Sequence, residues 1–259
     1  MLYHGAISVD IIEEDRPSHI TILLSMKFNN ARILLVVAHP DDEILGPGGT
    51  IHRLIREQGV QVHVVILGEG ITSRADSRNS AQWSEELAVH RKNITLAQAC
   101  IGYHSGNIYE FPDNRFDTVP LLDIIKVIEK EKNEFSPDVI FTHHGGDVNI
   151  DHQRTFEAVI TACRPMAHET VKTIITFETM SGTEWRASSD PRHFIPNLFF
   201  SLSPADLDAK IKAMECFEFE KRPNPHPRSP EALKIRSQMW GVSVGVDLAE
   251  AFCVVRHIS

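Results

Sequence analysis

Apolar residues along this chain come in blocks separated by polar, turn-rich stretches. Ile33-Leu34-Leu35-Val36-Val37 is short, continuous and rich in β-branched residues, which predicts a strand over 33–38 buried on both faces. Ile51, Leu54 and Ile55 then recur at helical spacing to about Gln58, and Gly59 supplies the stop. Val60 to Leu67 reads as a second strand, and Gly68 to Ser80 as a loop. A longer helix covers about 81–101 and ends at Gly102. Asn107 to Phe111 is a short third strand, 119–134 a helix, Asp138 to Thr142 a fourth strand. A helix running to about Cys163 and a strand from Thr173 to Phe177 follow. Strands and helices alternating at this spacing imply βαβ units, hence an α/β, Rossmann-like three-layer sandwich with a mostly parallel sheet. Right-handed crossovers would put the loops after the first and fourth strands on one sheet edge.

Past residue 180 the rhythm changes to a C-terminal α+β extension. Phe199-Phe200 is strand-like, and a helix covers about Ala205 to Glu220. Arg222-Pro223-Asn224-Pro225-His226-Pro227-Arg228-Ser229-Pro230 is a stiff, extended loop, because each proline fixes its own φ. A helix through Ala232 to Trp240 and a strand over about Ala251 to Val255 close the chain. No linker is long enough for independent domains, so 26–259 is expected to be a single domain. Residues 1–25 stand apart. They read either as a hairpin around Glu13-Asp15-Arg16-Pro17 or as an extension ahead of a start at Met26.

The predicted strand ends carry the chemistry. Ala38-His39-Pro40-Asp41-Asp42-Glu43 follows the first strand, and His143-His144-Gly145-Gly146-Asp147-Val148-Asn149-Ile150-Asp151-His152 follows the fourth. The carboxyl edge of an open α/β sheet is where ligands bind. Crowding ionisable groups there is costly unless a cation balances them. His39, Asp42 and His152 would give a catalytic zinc three protein ligands and leave a position for water, with Asp41 free to act on that water. The simpler reading is that Asp41 or Asp42 caps the following helix.

Composition narrows the classes. The net charge is −9 over 259 residues, with 42% hydrophobic and 24% charged residues. This argues against a broad nucleic-acid or anionic-membrane surface. Cys100, Cys163, Cys216 and Cys253 are far apart and form no C-x-x-C pair, which reads as reduced thiols. The chain shows no signal-peptide pattern and no apolar stretch of transmembrane length, so stable membrane insertion is not expected and a cytoplasmic location is.

Ala38-His39-Pro40-Asp41-Asp42-Glu43 resembles the signature of the PIG-L/LmbE-type zinc-dependent N-deacetylases. That family includes the deacetylases of N-acetylglucosaminyl-phosphatidylinositol and of the mycothiol and bacillithiol pathways. The resemblance continues in Gly48-Gly49-Thr50, Leu67-Gly68-Glu69-Gly70 and Asn149-Ile150-Asp151-His152, and covers roughly 31–160. It implies that His39, Asp42 and His152 bind the metal and that Asp41 is the general base. The reaction implied is hydrolysis of the acetamide of an N-acetylated amino sugar, free, nucleotide-activated or glycosidically linked. Zinc is expected; iron(II) suits the same donor set. Several members carry His-Pro-Asp-His where this chain has Asn149, and asparagine is no useful proton donor. His144, on the same loop, is the first replacement acid, and His226 in the proline loop the second. Asp151 is expected to orient a neighbouring histidine. Pro225-His226-Pro227-Arg228-Ser229 and Ala249-Glu250-Ala251-Phe252, with Glu184-Trp185, resemble a bacterial branch associated with surface-glycan biosynthesis. Arg228, with its pre-organised fork, suits a carboxylate or phosphate of the substrate, as would Arg74, Arg78, Arg91 and Arg115.

Two other readings remain at this stage: metal-assisted hydrolysis of another amide or an ester, and a Rossmann-like binding protein without catalysis. A small amino sugar is the expected partner, and homo-oligomerisation is left open.

Overall fold

A computed structural model describes residues 28–75 and 78–258. The expectations for residues 1–25 lie outside these. The β-strands are β1 (Arg32–Val37), β2 (Gln61–Gly68), β3 (Ser105–Phe111), β4 (Val139–His143), β5 (Thr173–Phe177), β6 (Leu198–Ser201) and β7 (Ala249–His257). The α-helices are α1 (Asp42–Leu45), α2 (Gly48–Gln58), α3 (Ser84–Ile101), α4 (Leu121–Phe135), α5 (Ile150–Ala162), α6 (Pro204–Glu215) and α7 (Pro230–Val244).

The strands form one seven-stranded sheet in the order β3-β2-β1-β4-β5-β7-β6. The first five are mutually parallel, whereas β7 lies antiparallel between β5 and β6. The C-terminal extension therefore widens the same sheet. Its elements run longer or shorter than their patterns suggest. Ser229 accepts from Ala232 N and Pro230 occupies the first turn, so α7 starts earlier than Ala232. Helix α6 stops at Glu215, and residues to Glu220 continue only as turns.

Alternate residues of β1 serve two cores, which is why the run is continuously apolar. Ile33, Leu35 and Val37 pack with α2, α3 and α6, while Leu34 and Val36 pack with α4 and α5. All five are essentially buried, and truncating any of them to Ala would cost about 2–5 kcal/mol for the larger side chains. Crossovers run to opposite sides of β1, so the sheet order reverses between β1 and β4. A crevice opens there beyond the carboxyl ends of the strands. No helix among the described residues is long and apolar enough to cross a membrane.

Candidate active site

The turn after β1 is shaped by an unusual backbone. Asp41 has φ 96°, in the left-handed region, which costs a non-glycine residue about 1–3 kcal/mol. Its N–H donates to Glu43 Oε2 at 3.0 Å, and its carbonyl accepts from Ile44 and Leu45. The Asp41 carboxylate makes no capping hydrogen bond to α1, and Pro47 precedes α2 without one. Simple helix capping thus does not account for the acidic pair. The glycine-rich start of α2 is likewise engaged from within: Glu250 on β7 accepts from Gly49 N and Thr50 N at 3.1 and 2.7 Å, and pairs with Lys210 at 2.6 Å. Its carboxylate already fills the position at which a phosphate would meet this helix.

Asp42 is buried among three histidines. Its Oδ2 accepts from His39 N at 2.8 Å and lies 3.4 Å from His39 Nδ1, 3.3 Å from His152 Nε2 and 3.3 Å from His143 Nε2. Burial alone would raise its pKa, but the charge of His152 overcomes this and holds it well below the usual carboxylate range.

Each of two histidines turns one nitrogen towards Asp42 and the other towards a second carboxylate. His39 Nε2 lies 2.9 Å from Asp151 Oδ2, and Asp151 is itself held by Asn114 N at 2.6 Å and Phe116 N at 2.8 Å. His152 Nδ1 lies 3.1 Å from Asp147 Oδ2, which also accepts from Thr183 Oγ1. That pair is close but not aligned as a hydrogen bond, so both buried nitrogens of His152 lack a hydrogen-bond partner. Burial lowers the pKa of His152, yet Asp42 and Asp147 outweigh it and bring it to about 9. For His39 the same contest, with Asp151 and Asp42 opposing burial, ends well above the ordinary value.

His143 stacks on His152 with ring centroids 3.9 Å apart and planes 6° from parallel. Its Nε2 accepts from Ala38 N–H at 2.9 Å, so that nitrogen carries no proton, and Nδ1–H donates to Thr179 Oγ1 at 2.9 Å. Burial, then the neighbouring His152, lowers its pKa to about 4. It is a neutral ring with both nitrogens engaged, a support for His152.

His39, Asp42 and His152 each offer one donor atom, and these lie within 4.8 Å of one another, within the reach of one metal ion. This set fits a divalent cation: two imidazoles and a carboxylate converge, and His152 Nε2 has no other partner. His39, Asp113 and Asp151 form a second close cluster. Its oxygens are already occupied, because Asp151 accepts two backbone N–H groups and Asp113 accepts from Ser73 N and Asn114 Nδ2.

A cavity of about 110 Å³ opens over these residues, lined among others by Asp41, Asp113, Asn149, Glu220 and Arg228. Arg228 Nη1 lies 3.0 Å from Asp41 Oδ2, and the same guanidinium bonds Glu220 and Ser181 Oγ. Burial pushes the Asp41 carboxyl well above the usual range, with Arg228 the main opposing influence. Arg74 also lines the cavity and bonds Glu220 and Phe219 O. Arg78 pairs with Glu69, and Arg91 with Glu110.

The other sequence-based candidates lie elsewhere. His144 is outside the cavity lining and donates from Nε2 to Arg192 O at 2.8 Å. His226 is also outside the lining, with Nδ1 accepting from Arg228 N at 3.2 Å. Asn149 does line the cavity. It caps α5 by accepting from Asp151 N and donates from Nδ2 to Asn114. Glu43, Asp113, His143, Asp147 and Glu220 gain roles that sequence reasoning did not assign. Asp147 had one readable signal, an acid in a Gly-rich turn just ahead of a ligand-bearing helix.

A Rossmann-like sheet thus carries at its carboxyl edge a two-histidine, one-aspartate set, with a second aspartate, Asp41, beside it and paired with Arg228. Residues 34–163 match the family described as PIG-L: GlcNAc-PI de-N-acetylase, and the chain belongs to that family. It is 28% identical over 198 residues to the uncharacterized deacetylase YaiS of Escherichia coli K12, covering 74% of this chain and 94% of that one. It is 31% identical over 147 residues to a probable N-acetyl-alpha-D-glucosaminyl L-malate deacetylase 2 of Bacillus cereus, covering 53% and 63%. Among solved structures it resembles N,N'-diacetylchitobiose deacetylase of Pyrococcus horikoshii, with TM-score 0.66, 19% identity and coverage of 96% and 94%. It also resembles the zinc-inhibited form of teicoplanin deacetylase Orf2, with TM-score 0.69, 16% identity and coverage of 87% and 98%. The 4-carboxy-2-hydroxymuconate hydratase GalB of Pseudomonas putida KT2440 superposes as well, with TM-score 0.69, 18% identity and coverage of 88% and 98%. The fold by itself therefore does not fix the reaction.

Proposed function

We propose that this deacetylase hydrolyses the acetamide of an N-acetylated amino sugar at a zinc ion held by His39, Asp42 and His152. The observation that carries the reading is the pair of outward-facing carboxylates. Asp151 lies 2.9 Å from His39 Nε2 and Asp147 3.1 Å from His152 Nδ1, which leaves the other nitrogen of each ring facing Asp42. The relatives named for glucosaminyl L-malate and diacetylchitobiose support a sugar acetamide. Zinc bound there supplies a Lewis acid for the acetyl carbonyl and lowers the pKa of water.

Asp41 is the general base: it is next to Asp42, lines the cavity and makes no capping bond. Arg228 at 3.0 Å favours its ionised form, and a nearby divalent cation would pull the same way. Asp41 takes the proton from the attacking water at its carboxylate and then delivers it to the departing amine nitrogen. This shuttle requires no separate acid, which agrees with Asn149 in place of a histidine and with His144 bonded to Arg192 O. Arg74, Asp113 and Asn149 line the remaining wall and offer donors and acceptors for sugar hydroxyls. In this reading Arg228 serves Asp41 first, and a substrate carboxylate or phosphate would have to compete with Asp41 and Glu220 for it.

The test is metal content of protein purified without added metal, paired with acetate release from a panel of N-acetyl sugars, sugar nucleotides and glycosides. About one metal per chain with acetate release is expected. Metal without acetate would leave the donor set standing and remove the acetamide reading. A hydratase activity on the same protein would favour the alternative chemistry of this fold.

A further inference from the structure

A second cavity of about 290 Å³ adjoins the candidate active site and shares Pro40 and His90 with it. Leu87 and Ile94 of α3 and Ile108 and Tyr109 of β3 supply apolar surface to its wall. Its charged groups are neutralised locally. Glu69 is held by Arg78 in two hydrogen bonds, and Arg91 is paired with Glu110. No uncompensated cation is left among these groups for a phosphate.

His90 stands where the two spaces meet. It is 2% exposed, and both its ring nitrogens are buried without a hydrogen-bond partner among the described residues. The nearest acid among the described residues, Glu220 Oε1, is 3.9 Å from Nε2, too far for a hydrogen bond. Phe217 and Phe219 meet the ring edge-on. Burial, then Arg74, lowers its pKa to about 4, so the ring is neutral and offers one donor and one acceptor. Buried polar atoms are seldom left unpaired, and a ligand hydroxyl or ether oxygen at this junction would satisfy them.

Resting on the deacetylase reading above, we propose that this cavity is the subsite for the group attached to the amino sugar, and that it selects an uncharged, largely apolar group, alkyl or aryl, over a nucleoside diphosphate. The sugar sits over Asp41, His90 hydrogen-bonds at the linkage, and the attached group lies along Leu87, Ile94 and Ile108.

The experiment uses the full-length protein and compares kcat/KM for N-acetylglucosamine, its methyl, hexyl and phenyl glycosides, and uridine-diphosphate N-acetylglucosamine. The hexyl and phenyl glycosides are expected to exceed the methyl glycoside by about tenfold or more, the effect of one extra well-buried hydrophobic contact. The sugar nucleotide is expected not to exceed the methyl glycoside. Ser84→Trp, which fills the exposed rim, should abolish that advantage and leave the methyl glycoside within about twofold, and Leu87→Asp, which charges the wall, should also abolish the advantage. Equal rates across the glycosides, a preference for the nucleotide, or an advantage that both variants retain would overturn the proposal. Calorimetric binding of hexyl and phenyl glucosaminides, which carry no acetyl group, gives a readout independent of turnover. Should no acetylated sugar be hydrolysed, the deacetylase reading fails. The cavity assignment is then decided by whether Ser84→Trp weakens that binding at least tenfold or leaves it unchanged.

Discussion

Arg228 Nη1 stands 3.0 Å from Asp41 Oδ2, joining the proline-rich loop before α7 to the turn after β1 across most of the chain's length. The same Nη1 also donates to Glu220 Oε2. The group proposed as the base is therefore tuned by a residue far away in sequence.

Asp41→Asn is expected to lower acetate release by about 10²–10⁴-fold, the loss typical of a removed general base. Metal content and melting temperature should stay close to wild type, because asparagine tolerates φ 96° nearly as well as aspartate. Activity retained in this variant would remove Asp41 from the mechanism.

The outward carboxylates should act on metal affinity more than on chemistry. Asp147→Asn and Asp151→Asn are each expected to weaken metal binding by about 10–100-fold, measured by competition with a chelator, with kcat largely recovered at saturating metal. Gly182→Ala should mimic the first, since a Cβ there would come within 2.8 Å of Asp147 Oδ1 and push the carboxylate off His152. Unchanged affinity in all three variants would show that the rings are held without them.

Glu43 is buried and accepts the Asp41 N–H that the left-handed turn presents. Burial also raises its pKa well above the usual range. Glu43→Gln keeps a carbonyl acceptor and should retain most stability and turnover. Glu43→Ala leaves that N–H unpaired and should lower stability by about 1–3 kcal/mol in denaturant unfolding, with a larger relative fall in kcat than in KM. Equal behaviour of the two variants would contradict a positioning role.

His90 gives a pH signature. Its pKa in the folded protein is lowered to about 4, against about 6.5 for an exposed histidine. Between those values the unfolded chain binds the extra proton, so stability falls as pH drops from about 6.5 to about 4, by up to a few kcal/mol. His90→Gln should shrink the difference in melting temperature between pH 7 and pH 5. An unchanged difference would show that other groups carry it.

The central strands β1, β2, β4 and β5 were legible because each is a largely apolar buried run ended by turn residues, whereas β3, mostly exposed at the sheet edge, begins two residues earlier than its apolar pattern suggests. The place of β7 was not, since a strand inserted antiparallel between β5 and β6 leaves no local trace of its neighbours. At the candidate site, the motif residues His39, Asp41, Asp42 and His152 were legible, because they cluster at two strand ends. Their supports are tertiary: nothing local to Asp151 says that it meets His39. His144 illustrates the limit. Sequence proximity favoured it, but successive side chains at the end of a strand point to opposite sides, and it is His143 that turns inward against His152. His226 likewise belongs to the loop that matters, yet Arg228 is the member that reaches the cavity.

The clamp between Glu250 and the start of α2 ties a residue of the last strand to the first full helix, 201 positions earlier. Until β7 is in place, β6 has no partner among the described strands, and the N–H groups of Gly49 and Thr50 lack their acceptor. The start of α2 is therefore completed only when β7 stands between β5 and β6, which couples the helix just past the Asp41 turn to the far half of the sheet.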